Sequence, residues 1–134
     1  MRVISLRIRA ALAAVALAFL TVPTPAQAEP VVSDSLLNLT VVDTGTGTPL
    51  GRADLLCHPA AGTHPEARAA CAALDTADGE LDRLAGTPGV LCYQLYAPVT
   101  ATAVGSWAGR PVRWEKTFGN ICELHTKTGP AFRI

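Results

Sequence analysis

Four cysteines, Cys57, Cys71, Cys92 and Cys122, constrain this chain more than any other feature, because all four follow a segment with the order of a secretory signal peptide. Arg2, Arg7 and Arg9 make a positive start. Ala10 to Leu20 is apolar and uncharged, Val22 extends it, and Ala26-Gln27-Ala28 is a small-x-small cleavage site. A membrane-spanning helix needs about 20 predominantly apolar residues, and this run is shorter, with Pro23 and Pro25 close behind. The sequence therefore divides into a signal peptide, residues 1–28, and a secreted, extracellular domain, residues 29–134, with no membrane attachment after cleavage. An even cysteine count in a short exported chain reads as two disulfides. Four cysteines allow three pairings, and the residues alone leave the choice open. Zinc held by Cys57, His58, His64 and Cys71 is a poor alternative, since spacings of one, six and seven do not fit the usual zinc pairs. No metal and no cofactor is expected.

Loss of Arg2, Arg7 and Arg9 takes the formal charge from 0 to −3, and no basic stripe remains, which argues against nucleic acid as a partner. A single domain of this length buries a real but modest core. After a loose arm from Glu29 to Ser35, Leu37, Leu39 and Val41 alternate with Asn38, Thr40 and Val42, so Leu36 to Asp43 reads as a strand. Thr44 to Pro49 is a turn by its Gly and Pro content, and Arg52 to Cys57 is a second strand. Pro59 to His64 is a loop. Pro65 suits the first turn of a helix, Glu66 lies at its positive end, and Ala67, Ala70, Cys71 and Leu74 follow at helical spacing, giving a helix over Pro65 to Leu74. Leu81 and Leu84 suggest a further helical turn. Val99, Ala101 and Ala103 start a strand, Gly105 to Gly109 connects a hairpin, and Val112, Trp114 and Lys116 alternate along the return. Trp107 and Trp114 read as core or hairpin packing. Cys122 to His125 reads as a short turn and Ala131 to Ile134 as a terminal strand. Strands joined mostly by hairpins, with one clear helix, make an α+β fold: an antiparallel sheet with a helix on one face.

A more specific pattern begins at Cys57. Cys57-His58-Pro59, Gly62-Thr63-His64-Pro65 and Ala70-Cys71-Ala72-Ala73-Leu74, followed by Cys92, Tyr96-Ala97-Pro98-Val99, Trp107-Ala108-Gly109 and Phe118-Gly119-Asn120-Ile121-Cys122, stand in fixed order. This resembles the Streptomyces subtilisin inhibitor family over roughly residues 36–134, least closely from Thr44 to Ala53, where this chain is a few residues shorter. The resemblance implies the pairings Cys57–Cys71 and Cys92–Cys122, each closing a loop that stabilises by about 3 kcal/mol in the chain-entropy model. It implies a five-stranded antiparallel sheet with one or two helices on one face, a homodimer formed through that sheet, and inhibition of a subtilisin-like serine protease. By position, Gln94 becomes the primary specificity residue and Gln94–Leu95 the bond offered to the enzyme. Cys92, Tyr93, Tyr96, Ala97 and Pro98 complete the inhibitory loop, and Asn120 supports it from beneath.

Read without that framework, Tyr93 to Tyr96 is more simply a half-buried strand running into Val99. Three positions depart from the family pattern. Gln94 stands where Met, Lys or Arg is usual, Tyr93 where proline is common, and Ala97 where an acidic residue is familiar. A trypsin-type pocket with a buried carboxylate rejects Gln for want of a cation, whereas a broad apolar pocket accepts it at some desolvation cost. An enzyme is not indicated: the exported part holds only Ser33, Ser35 and Ser106, and no serine elbow. His64 reads as structural. Two other readings of the same scaffold are a glutamine donor or decoy for a transglutaminase, and a non-inhibitory extracellular interaction module.

Overall fold

The period-two alternation read around Leu37 builds the centre of the molecule. In the computed structural model, which describes residues 26–27 and 32–134, β1 (Ser35–Asp43) buries Leu37, Leu39 and Val41 and leaves Leu36 and Asn38 exposed. The signal segment and Glu29 lie outside the described residues, except for Ala26 and Gln27. Then come β2 (Pro49–Cys57), β3 (Ala61–Gly62), α1 (Ala67–Thr76), a 3₁₀ turn (Leu81–Arg83), β4 (Val99–Trp107), β5 (Arg110–Phe118), α2 (Ile121–Thr128) and a second 3₁₀ turn (Gly129–Phe132). The five strands form one sheet in the order β3-β2-β1-β4-β5, every pair antiparallel. This is the α+β fold expected. Its central strand is β1, so the chain must cross from β2 over to β4, and the crossing carries α1, the first 3₁₀ turn and the long irregular stretch that follows.

Several elements differ from the sequence reading, each for a physical reason. The fifth strand is not Ala131 to Ile134. It is the two-residue β3, which pairs Ala61 and Gly62 with Leu56 and Leu55 inside the expected loop. The chain end instead coils into a 3₁₀ turn that buries Ala131 and Phe132 in the core. Apolar residues at a terminus fill a core equally well from either conformation, and the pattern cannot separate the two. Ser35, expected in the loose arm, begins β1 and is buried, its Oγ accepting the Ala108 N–H at 2.9 Å. The β4–β5 connection is tighter than Gly105 to Gly109. Pairing persists to Trp107 opposite Arg110, leaving Ala108 and Gly109 as a two-residue turn with φ of 45° and 75°. Positive φ at both places matches the turn's twist to that of the strands. Helix α1 starts at Ala67, and Glu66 is its N-cap without a side-chain cap bond. Cys122 to His125 is part of a full helix, α2.

Helices, the terminal turn and the core share one face of the sheet. Ala70 and Leu74 of α1, Leu124 of α2 and Phe132 of the terminal turn are fully buried there with Leu39, Ala101 and Ala103. The Phe132 ring lies 5.4 Å from Trp114, and Trp107 is buried as well. His64 locks this layer. Its Nδ1 accepts the Glu66 N–H at 3.0 Å, which leaves Nε2 to donate to the Ala131 carbonyl at 3.1 Å. The disulfide Cys57–Cys71 joins the end of β2 to α1. Cys57 and Cys71 are therefore not thiolate ligands. On the opposite face the register sets Leu36, Thr40, Val42, Thr100, Thr102 and Val104 side by side, with no helix over them among the described residues.

Candidate functional site

Between the first 3₁₀ turn and β4 the chain has no regular structure from Val90 to Pro98, and strand pairing begins only at Val99. The half-buried strand is thus not formed. Tyr93 cannot be drawn into the sheet because Cys92 is bonded to Cys122, in the first turn of α2. Five hydrogen bonds fix the path. Asn120, the N-cap of α2, accepts the Glu123 N–H through Oδ1 at 2.9 Å. Its Nδ2 donates to the carbonyl of Leu95 at 3.0 Å and to that of Tyr93 at 3.4 Å. The Ala97 N–H donates to the Gly119 carbonyl at 2.9 Å, and the Pro98 carbonyl accepts the Thr44 N–H at 2.9 Å. The carbonyls on either side of Gln94 are held from below by one buried amide, while Gln94 itself is exposed.

What this support lifts into solvent is apolar. Leu91 is 97% exposed, Tyr96 81%, Leu95 60% and Tyr93 57%. So much contiguous exposed apolar surface marks an interaction site rather than ordinary surface. A groove of about 500 Å³ lies between the loop and the start of α2, lined among others by Gln94, Tyr96, Asn120, Glu123 and Lys127. The Glu123 carboxylate accepts from Lys127 Nζ at 2.6 Å and from the Gly119 N–H at 2.8 Å. Those bonds, Lys127 first, hold its pKa below the usual carboxylate value. On the far side of the same helix, burial and the Arg133 charge lower the pKa of His125.

Every residue assigned to the loop from sequence, Cys92, Tyr93, Gln94, Leu95, Tyr96, Ala97 and Pro98, falls in one continuous arch over Asn120. The pairings Cys57–Cys71 and Cys92–Cys122 are those expected. Sequence reasoning passed over Leu91, Thr44, Gly119 and Glu123. Only the last carried a readable signal, as the acidic residue three places after Asn120, the spacing of a helix start.

A small disulfide-linked α+β scaffold that presents one irregular loop, tied down at both ends and exposed between, defines a class: a proteinaceous inhibitor, built to be bound rather than to turn over a substrate. The chain belongs to the subtilisin inhibitor-like family, whose profile matches residues 33–120. It is 47% identical to subtilisin inhibitor-like protein 5 of Streptomyces fradiae, over 65% of this chain and 82% of the relative. It is 43% identical to a subtilase-type protease inhibitor of Streptomyces coelicolor, over 65% of this chain and 61% of that protein. Among solved structures it is similar to Streptomyces caespitosus sermetstatin in complex with Bacillus licheniformis subtilisin, with 40% identity and a TM-score of 0.64 over 75% of this chain and 98% of that one. The transglutaminase reading gains no support from these likenesses.

Proposed function

We propose that this protein is a secreted inhibitor of subtilisin-like serine proteases and that it offers the Gln94–Leu95 bond as a substrate would. The observation that carries the assignment of the bond is the double grip of Asn120 on the carbonyls of Tyr93 and Leu95, the two residues flanking Gln94. The solved complex of sermetstatin with subtilisin supplies the partner class.

The chemistry follows from the tethers. When the enzyme's serine attacks the Gln94 carbonyl carbon, an acyl bond forms and the Leu95 nitrogen leaves as an amine. In an ordinary substrate that amine diffuses away. Here Leu95 remains bonded to Asn120, Ala97 to Gly119 and Pro98 to Thr44. A cut at Gln94–Leu95 would divide the chain so that Cys92 lies on one piece and Cys122 on the other, and their disulfide holds the pieces together. The amine stays beside the acyl-enzyme and attacks back. Because the loop is ordered beforehand, binding also escapes the entropy cost of fixing a flexible peptide. Leu91, Tyr93, Leu95 and Tyr96 supply apolar contact, and Gln94 enters a pocket broad enough for an uncharged amide.

The exported form begins at Glu29, and two copies associate through the uncovered sheet face. Leu36, Val42 and Val104 set among threonines give the middle of that face an apolar and small polar surface, with Arg52, Asp54, Arg113 and Glu115 flanking it, the layout of an apolar interface core within a polar rim.

The test is a titration of subtilisin with the oxidised 29–134 protein, followed by mass spectrometry of the complex. Stoichiometric loss of activity is expected, with any slow cleavage between Gln94 and Leu95. A folded, doubly disulfide-bonded protein that leaves subtilisin active, or a cut elsewhere in the chain, overturns the proposal.

A further inference from the structure

The support of the loop does not end at Asn120. Glu123 is the third residue of α2, and its side chain turns back past the start of the helix. In the usual reciprocal cap a glutamate at this position bonds the N–H of the N-cap residue itself. Here Glu123 Oε2 accepts instead from Gly119, one residue further out, at 2.8 Å. Gly119 is the residue whose carbonyl accepts the Ala97 N–H of the loop at 2.9 Å. The backbone N–H of Glu123 is also the group that anchors Asn120 Oδ1, at 2.9 Å, and so orients the amide that donates to Leu95 and Tyr93. Lys127 holds the other carboxylate oxygen at 2.6 Å. One line of support beneath the loop thus ends on the backbone N–H of residue 123, and the other on the Glu123 carboxylate.

The residue facing it has no side chain to obstruct the approach. A Cβ on Gly119 would sit 2.9 Å from Glu123 Oε2, so any larger residue makes the carboxylate end shift. A backbone N–H bonded to a carboxylate is about twice as strong as a neutral pair. The charge on Glu123 is itself favoured by Lys127 and by this N–H.

We propose that Glu123 is a positioning residue for the inhibitory loop: by clamping Gly119 through its carboxylate it fixes the carbonyl that holds the Ala97 N–H, and so sets how slowly the bound loop is hydrolysed. This rests on the reading of Gln94–Leu95 as the offered bond. A helix cap of merely local importance would change the stability of α2 and leave the rate of cutting alone.

Three variants separate these. Glu123→Ala removes the acceptor. Gly119→Ala keeps the N–H and crowds the carboxylate. Glu123→Gln keeps an oxygen able to accept the Gly119 N–H. The readouts are the rate at which excess subtilisin cuts Gln94–Leu95 and the amide exchange of each free variant by NMR. Glu123→Ala should be cut about tenfold faster, the factor carried by one hydrogen bond to a charged group, Gly119→Ala should be cut faster than the parent by a smaller factor, and Glu123→Gln should recover most of the loss. In the free Glu123→Ala protein, exchange should quicken at Gly119 and Ala97 while Leu39 in the central strand keeps its protection. Equal cutting of Glu123→Ala and the parent, or a Gln variant as fast as the Ala variant, overturns the proposal. If the parent does not inhibit subtilisin, the inhibitory reading fails separately. The exchange data then still decide, and unchanged exchange at Gly119 and Ala97 refutes the clamp.

Discussion

At Gln94 the side chain combines the reach of a long residue with an amide that carries no charge. In an enzyme pocket built around a buried carboxylate, that amide leaves the carboxylate unpaired, which is the dearest kind of mismatch. Gln94→Lys supplies the missing cation without touching Asn120 or the disulfide, because Gln94 is exposed and its neighbours' carbonyls carry the support. Inhibition of trypsin should strengthen by about a hundredfold, about 2.7 kcal/mol, as expected of a close charge pair in an interface. A trypsin titration with the folded variant checks this, and no gain would count against Gln94 as the specificity residue. A second residue-scale effect lies far from the loop. His58 Nδ1 faces Asp34 and Nε2 faces Asp75, each at 2.8 Å, with the Trp107 ring edge-on at 5.5 Å. The bond to Asp34, then that to Asp75, raises the His58 pKa above 6.5. A raised folded-state pKa means that this stabilisation is complete below the unfolded value and is lost as pH climbs through the folded one. The urea midpoint should therefore fall as pH rises from below 6.5 through the neutral range, and the slope should flatten in His58→Asn, which tolerates the positive φ of 59° at that position.

Among the elements, the end of α1 shows how a connection is fixed by packing. Gly79 has φ of 74°, donates its N–H to the Leu74 carbonyl at 2.8 Å, and lies directly against the buried indole of Trp107. A side chain there meets both a left-handed backbone and a ring that cannot move aside. Gly79→Ala should cost about 3 kcal/mol, the left-handed penalty plus overpacking. Denaturant unfolding would measure it, and the proposed reactive bond, at the other end of the crossing, should be cut at the same place. The elements also show the limits of pattern reading. β1 was legible because three large apolar residues at strict alternation have one way to be buried. α2 was not, because only Leu124 and Thr128 of its eight residues are buried and the rest form no stripe. Its helix start was nonetheless written in Asn120 and Glu123, residues that also serve the loop.

For the molecule as a whole, the sheet has, among the described residues, one covered and one uncovered face. Thr102 lies mid-strand on the uncovered face, opposite Thr40 on one side and Glu115 on the other. Thr102→Arg should give a folded monomer, since an arginine there has room in solution and none between two sheets. Sedimentation equilibrium checks this against the parent, and a parent that is monomeric would remove the sheet-mediated dimer. By itself the sequence determined the α+β class and the buried side of β1, because both rest on periodicity; its residues left the disulfide pairings open, and only the likeness to a family implied Cys57–Cys71 and Cys92–Cys122. The tertiary structure decided what no local pattern encodes: that Tyr93 to Tyr96 stay out of the sheet, that the chain end plugs the core, and that His64 ties α1 to that end. It alone joined Glu123 to the loop through Gly119. Contacts between segments distant in sequence are chosen by which packing satisfies buried polar groups and fills the core, and only the assembled fold sets those terms against one another.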